Sequence, residues 1–303
     1  MQHSKLALTD DLPHAAGPGT TPVCWVSDEA TARIRQVDHF RNSEYRALDL
    51  NALVGSYVHD FVEPLLRVQP EPAVVADIGA GYGWLAIAFA LRTNARVIVV
   101  EYGEARLEAA RQIAMILGVA DRMEWINASI ASLPIPDRAV DAVYCIEVIE
   151  HTGVDPAFVR ELARIARDVL VITTPNKLFP VIGHDTALPF CHWLPLPARD
   201  VYARLFGRGR MQDNNLFWTP GQLFAALPDF DRTSSFLHFE DYARYRQARA
   251  HTAERRGLLG ICKRIYFKAV AALGKYCIYA VPNIAATYRR SAAAQSRTSA
   301  GPA

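Results

Sequence analysis

The hydrophobic positions of this chain change period several times, and the changes mark out its elements. Ala73-Val-Val-Ala-Asp-Ile78 is a short apolar run that stops at glycines. Trp84 to Leu91 then keeps an apolar face at helical spacing. The same alternation recurs downstream. Between Arg96 and Glu101 the run Val-Ile-Val-Val is β-branched, as expected of a strand buried on both faces. A helix is predicted from Glu104 to Leu117, closed by Gly118, and strands over 123–128, 141–146 and 168–174 flank a helix over 156–167. Upstream, Ala52 to Val68 reads as a helix with Asn51 as N-cap, and strand 1 runs over 73–78.

Five strands alternating with helical segments predict a doubly wound, mostly parallel α/β sheet, whose ligands sit at the carboxyl ends of its strands. Beyond Pro175 the regularity is lost. Thr219-Pro-Gly-Gln222 announces a further helix, 230–239 can form a sixth strand, and Asn283 to Arg290 a seventh, antiparallel one. The expected organisation is a disordered tail (1–28), one domain (29–290) and a second tail (291–303). The domain has a core at 70–176, with insertions over about 177–218, after strand 5, and 241–281, between strands 6 and 7.

The turn after strand 1 carries the chemistry. It reads Asp77-x-Gly79-x-Gly81-x-Gly83, whereas a dinucleotide fingerprint would put its third glycine where Trp84 stands. A carboxylate two residues before the first glycine suits a ligand with positive charge better than a pyrophosphate. Glu101 ends strand 2 about 20 residues after the glycines, the position that accepts a ribose diol in such sheets. Ser129-Ile130 follow strand 3, ahead of Leu133-Pro-Ile-Pro-Asp137, and Glu147-Val-Ile-Glu150-His151 follow strand 4.

In that order these motifs resemble the class I S-adenosylmethionine (SAM)-dependent methyltransferases, in particular the ubiquinone- and menaquinone-biosynthesis type, over about residues 50–180. The resemblance implies a Rossmann-like seven-stranded sheet, SAM as cofactor, and Asp77, Gly79, Gly81, Gly83, Glu101, Ser129, Ile130 and Glu147 as cofactor-binding residues. It also implies a lid from His39 to Tyr45. Two departures stand out: Ser129-Ile130 replaces the usual Asp-Ala, and one residue fewer separates Glu147 from Glu150.

For the acceptor, His151, His184 and Asp185 are the catalytic candidates, with His192 a further histidine in the same loop region. Phe179, Phe190, Trp193, Phe217 and Trp218 are candidates for an apolar pocket. The expected function is methyl transfer to a small-molecule or lipid-linked acceptor, at oxygen. A non-catalytic SAM-binding protein and an NAD-dependent oxidoreductase are the alternatives.

Bulk properties narrow this only slightly. A net charge of +2 in 303 residues offers no basic surplus for nucleic acid. The five scattered cysteines fit a reducing compartment and suggest no metal site. Without a signal peptide or an uninterrupted apolar span, the expected location is cytoplasmic. Leu258, Ile261, Cys262, Ile265, Ala269, Leu273 and Tyr276 share one helical face, with Arg264, Lys268 and Lys275 on a separate arc. That pattern over about 257–280 fits either a cap packed on its own domain or peripheral contact with the inner face of a membrane.

Overall fold

The computed structural model describes residues 23–182, 185–208, 216–235 and 277–299, together with positions 261, 265, 268, 269 and 272. Seven strands form one sheet: β1 (Val74–Ile78), β2 (Arg96–Glu101), β3 (Met123–Asn127), β4 (Val140–Ile146), β5 (Ala166–Pro175), β6 (Phe230–Ser235) and β7 (Asn283–Arg290). Their order is β3-β2-β1-β4-β5-β7-β6. β7 alone runs antiparallel to its neighbours, β5 and β6, as the sequence predicted.

Each central strand buries both faces, so its residues alternate between two cores. Val75, Val97, Val99, Ala142 and Tyr144 pack against Phe61, Leu85 and Phe89 on one side. Ala76, Ile98, Val143 and Cys145 pack against Val159, Leu162 and Leu223 on the other. The edge between β1 and β4 is pinned by the Asp141 carboxylate, which accepts the Ala73 and Val74 amides and pairs with Arg167.

The helices whose bounds fall within the described residues are α1 (Asp28–Ile34), α2 (Leu50–Tyr57), α3 (Glu63–Val68), α4 (Trp84–Arg92), α5 (Glu104–Ile116), α6 (Pro156–Ile165), α7 (Leu196–Leu205), α8 (Pro220–Ala226) and α9 (Ala292–Ser299). The predicted capping box at α8 forms between Thr219 and Gln222.

Three local expectations are corrected. The helix predicted over 52–68 starts at Leu50, capped by Asp49, and is broken by a π-helical turn at Val58–Val62. Pro64 has no amide to offer Asp60, so the hydrogen-bond register widens just ahead of it. Asn51 instead accepts the Trp25 and Val26 amides with its Oδ1, which ties the start of the described chain to α2. Ser27 caps α1, so a helix start falls within the stretch 1–28 that was expected to be a tail. At the other end, α9 forms where a tail was expected: the Ser291 hydroxyl accepts the Ala294 amide, and Gln295 bonds Asp168 and the Arg290 carbonyl. Most of the second insertion lies outside the described residues.

Candidate cofactor and acceptor site

The glycine turn is shaped by backbone that only glycine adopts easily. Gly79, Gly81 and Gly83 have φ of +75°, +60° and +72°. Space is limiting at Gly79, where an added Cβ would lie 2.5 Å from Val148 Cγ2, on the loop after β4. The Gly79 and Ala80 amides donate to the Val100 carbonyl at 2.8 and 3.0 Å, folding the turn back over β2. Gly83 then opens α4.

Glu101 is drawn into this turn. Its Oε2 accepts the Gly81 amide and its Oε1 the Gly103 amide, both at 2.9 Å, and Arg106 lies 3.5 Å from Oε1. Each carboxylate oxygen keeps acceptor capacity beyond these contacts. Asn127 fixes the strand end by donating to the Glu101 and Tyr102 carbonyls. Tyr102, exposed beside Glu101, is a candidate wall that the sequence pattern did not single out.

Asp77 is buried, and its Oδ2 accepts the Ala86 amide in the first turn of α4 at 3.2 Å. It therefore serves as a helix-start acceptor as well as lining the turn. Burial, and secondarily the Glu101 charge, push its carboxyl up to about 7, against the pull of the Ala86 bond.

A second acidic group closes the other side. Glu147, at the end of β4, is held at φ +55°, a strained conformation for a non-glycine residue. Its amide donates to the Thr173 carbonyl and hydroxyl, and its Oε1 accepts from Asn283 at the start of β7. Glu150 is fully buried and accepts the Thr174 hydroxyl at 3.0 Å. The two buried carboxyls are close enough to shift each other's titration. Two such acids do not both carry charge cheaply, so the pair keeps a proton near neutrality, and no described group donates to Glu147 Oε2. Burial raises Glu147 to about 7, and burial together with the Glu147 charge drives Glu150 well above the ordinary carboxylate range.

Tyr57, the last residue of α2, joins this cluster. Burial raises its phenol, and the charges of Asp77 and Glu147 raise it further. Neither Tyr57 nor Asn283 carried a local signal: their roles depend on contacts with residues far away in the chain. The His39–Tyr45 segment packs over the glycine turn. The His39 Nδ1 lies 2.9 Å from the Tyr82 hydroxyl, Phe40 meets Tyr82 and Trp84 edge-on, and Tyr45 meets Tyr82.

The remaining sequence candidates fall in different places. Ser129 is exposed, with its hydroxyl accepting the Ala131 amide, and Ile130 is buried in the second core. His151 is half-buried in the turn directly after Glu150. Asp185 lies in the post-β5 insertion, its carboxyl raised by burial, and His184 lies outside the described residues. His192 is a brace: its Nε2 meets the Lys177 carbonyl at 3.0 Å, and burial lowers its pKa. Phe179 and Trp218 belong to the buried core rather than to an open pocket, and Phe217 is buried against His192. Phe190 and Trp193 face outward.

Residues 75–168 match a family model described as a methyltransferase domain. A probable S-adenosylmethionine-dependent methyltransferase of Mycobacterium tuberculosis, Rv3030, is 35% identical over 145 residues, covering 47% of this chain and 50% of that protein. The 27-O-demethylrifamycin SV methyltransferase of Amycolatopsis mediterranei is 30% identical over 110 residues, covering 34% and 40%. The chain thus spans about half the length, or less, of these curated relatives. Among solved structures, geranyl diphosphate C-methyltransferase from Streptomyces coelicolor superposes with a TM-score of 0.52 at 13% identity, covering 88% of this chain and 94% of that one, a likeness of fold. The glycine turn and the acids at the ends of β1, β2 and β4 thus lie within the stretch, residues 75–168, that is similar to a methyltransferase domain.

Proposed function

We propose that this chain binds SAM at the carboxyl edge of β1, β2 and β4 and transfers its methyl group to an oxygen of a small-molecule or lipid-linked acceptor. The observation that carries the reading is that Asp77 and Glu101 are set on a turn whose backbone is folded for close approach, with Glu147 and Glu150 at the end of the neighbouring strand β4. Buried carboxylates with so little positive compensation favour a cationic ligand. Glu101 would accept the ribose hydroxyls, Asp77 would face the amino-acid end, and Gly79, Gly81 and Gly83 would let the backbone approach. Tyr102 and the Ser129-Ile130 turn would flank the adenine.

When bound, SAM supplies an electrophilic methyl group on a sulfonium. The chain's own part is alignment, exclusion of water and removal of a proton. An acceptor hydroxyl must lose its proton as the O–C bond forms, and the Glu147–Glu150 pair would take it. With Glu147 near 7, the pair holds one proton and can accept a second around neutral pH. His151, directly after the pair, is the second base candidate; His184 and Asp185 would act only if the post-β5 insertion brings them to the acceptor. The relatives' names include both an O-demethylated substrate and sterol 24-C-methyltransferases, and the proton-accepting pair favours an acceptor that is deprotonated on transfer.

Transfer of labelled methyl from SAM to a panel of hydroxylated metabolites and lipid extracts tests this, with Glu147→Gln alongside. The variant should retain SAM binding and lose transfer by roughly 10²-fold or more, most strongly above pH 7. Binding of SAM with no transfer to any extract would favour the non-catalytic reading, and a fully active Glu147→Gln would remove the pair from the mechanism.

A further inference from the structure

An insertion that packs on its own sheet turns its apolar side chains inward. The segment after β5 does the reverse. Trp193, Leu194, Leu196, Val201, Leu205 and Phe206 are all exposed, Leu205 at 76% and Phe206 at 61%. On α7 the buried position is Ala203, while Pro197, Val201 and Leu205 succeed one another every fourth residue on the solvent side. An apolar stripe facing water on a described, hydrogen-bonded element marks a contact surface.

The stripe is held in place from beneath. Arg199 Nε donates to the Leu194 carbonyl, and its guanidinium also reaches the His192 carbonyl. The Trp193 indole N–H donates to the Lys177 carbonyl at 2.6 Å, leaving a ring 49% exposed and tilted against Phe190 at 4.9 Å. A tryptophan with its N–H satisfied and its ring half in solvent is typical of a water–lipid boundary.

Charge selects the occupant. From Phe190 to Arg208 there are three arginines and one acid, Asp200. Arg204 and Arg208 are exposed beside the apolar stripe, and Lys177 is exposed where the insertion leaves β5. We propose that Trp193–Phe206 docks this protein on an anionic bilayer surface, the apolar stripe entering the headgroup boundary and Arg204 and Arg208 meeting lipid phosphates. The insertion leaves the sheet at Pro175, on the same carboxyl edge as the glycine turn, so docking would bring the mouth of the site towards the lipid. The proposal concerns a different segment from the 257–280 helix, of which Leu258, Cys262, Leu273 and Tyr276 lie outside the described residues. Ile261, Ile265 and Ala269 of that helix are exposed as well. It stands or falls independently of methyl transfer.

The test is flotation of the full chain with phosphatidylcholine vesicles, with and without phosphatidylglycerol. The expected result is binding to the anionic vesicles only, weakened by salt, and reduced at least about tenfold in Leu205→Asp/Phe206→Asp. Arg204→Glu/Arg208→Glu should lose the same binding without touching the apolar stripe. Both variants alter exposed side chains, so thermal melts should match the parent and separate lost docking from lost fold. No flotation, or flotation that both variants retain, would overturn the proposal. So would sedimentation showing a parent dimer that the aspartate variant splits, since the stripe would then be covered by a second copy.

Discussion

Replacing Asp77 with asparagine should make the free protein more stable and the ligand complex weaker. The substitution keeps the shape, and the asparagine carbonyl can still accept the Ala86 amide. What it removes is a charge that burial opposes. The folded carboxyl sits near 7 against an ordinary value of 3.8, a difference of about 3 units. At about 1.36 kcal/mol per unit, the buried charge costs roughly 4 kcal/mol above pH 7.

The sign follows from proton counting. A folded pKa raised above the unfolded one means that the folded protein holds the proton more tightly. The parent is thus unpenalised below pH 4 and loses stability as pH rises from about 4 to 7. Asparagine, having no charge to bury, escapes that loss. Thermal melts at pH 5 and pH 8 should show the variant's advantage growing with pH, by several degrees at pH 8. Calorimetric titration with SAM at pH 8 should show the opposite, an affinity loss of roughly ten- to a hundredfold, as for a charged hydrogen bond. An advantage that does not change with pH would refute the burial argument, and unchanged affinity would take Asp77 out of the ligand site.

Gly79→Ala meets both a left-handed backbone and Val148 Cγ2 at 2.5 Å. It should lower stability by roughly 1–3 kcal/mol in urea titration and abolish SAM binding, because the turn must open to admit the methyl. Asn176→Ala removes donors to the Tyr279 carbonyl and to the buried Val281 carbonyl, and an acceptor for the Leu178 amide. Denaturant melts should show a loss of roughly 2–4 kcal/mol. With Asp77 near 7, binding a cation at pH 7 should release up to about half a proton. Titration in buffers of different ionisation enthalpy reads that number directly, and a buffer-independent heat would contradict it.

The strand-end motifs were legible because each is local. Three glycines in alternation, an acid at each strand end, and β-branched runs between helices leave few arrangements besides a doubly wound sheet. The Thr219 capping box was legible for the same reason. The cap at Asp49 was not, since Asp49 and Asn51 are both good caps and only the contact of Asn51 with Trp25 and Val26 decides between them. Ser291 followed by three alanines is a helix start, but its low-complexity surroundings read as a tail. What secures α9 is Asp168, which is remote in sequence. The same distance hid Asn283, whose bond to Glu147 spans 136 residues. An apolar stripe on α7 can be read from sequence, but whether it faces the core or water cannot.

The arrangement of charge explains why such costly residues occur together. The chain as a whole is nearly neutral, yet Asp77, Glu101, Glu147 and Glu150 crowd one edge, with Arg106 beside Glu101 as the cation described there. Hydrogen bonds from Gly81, Gly103, Ala86, Asn283 and Thr174 hold the carboxyls in place, but hydrogen bonds do not neutralise them. A fold selected for stability alone would replace Asp77 and Glu150 with neutral residues of the same shape. Keeping them makes sense if the missing positive charge arrives with the ligand and the spare proton with the acceptor. On that view the protein holds an electrostatic deficit in two halves, Asp77 with Glu101 for the donor and Glu147 with Glu150 for the proton. Glu147, held at a φ of +55° at the end of β4, sits on the strand next to the one that carries Asp77.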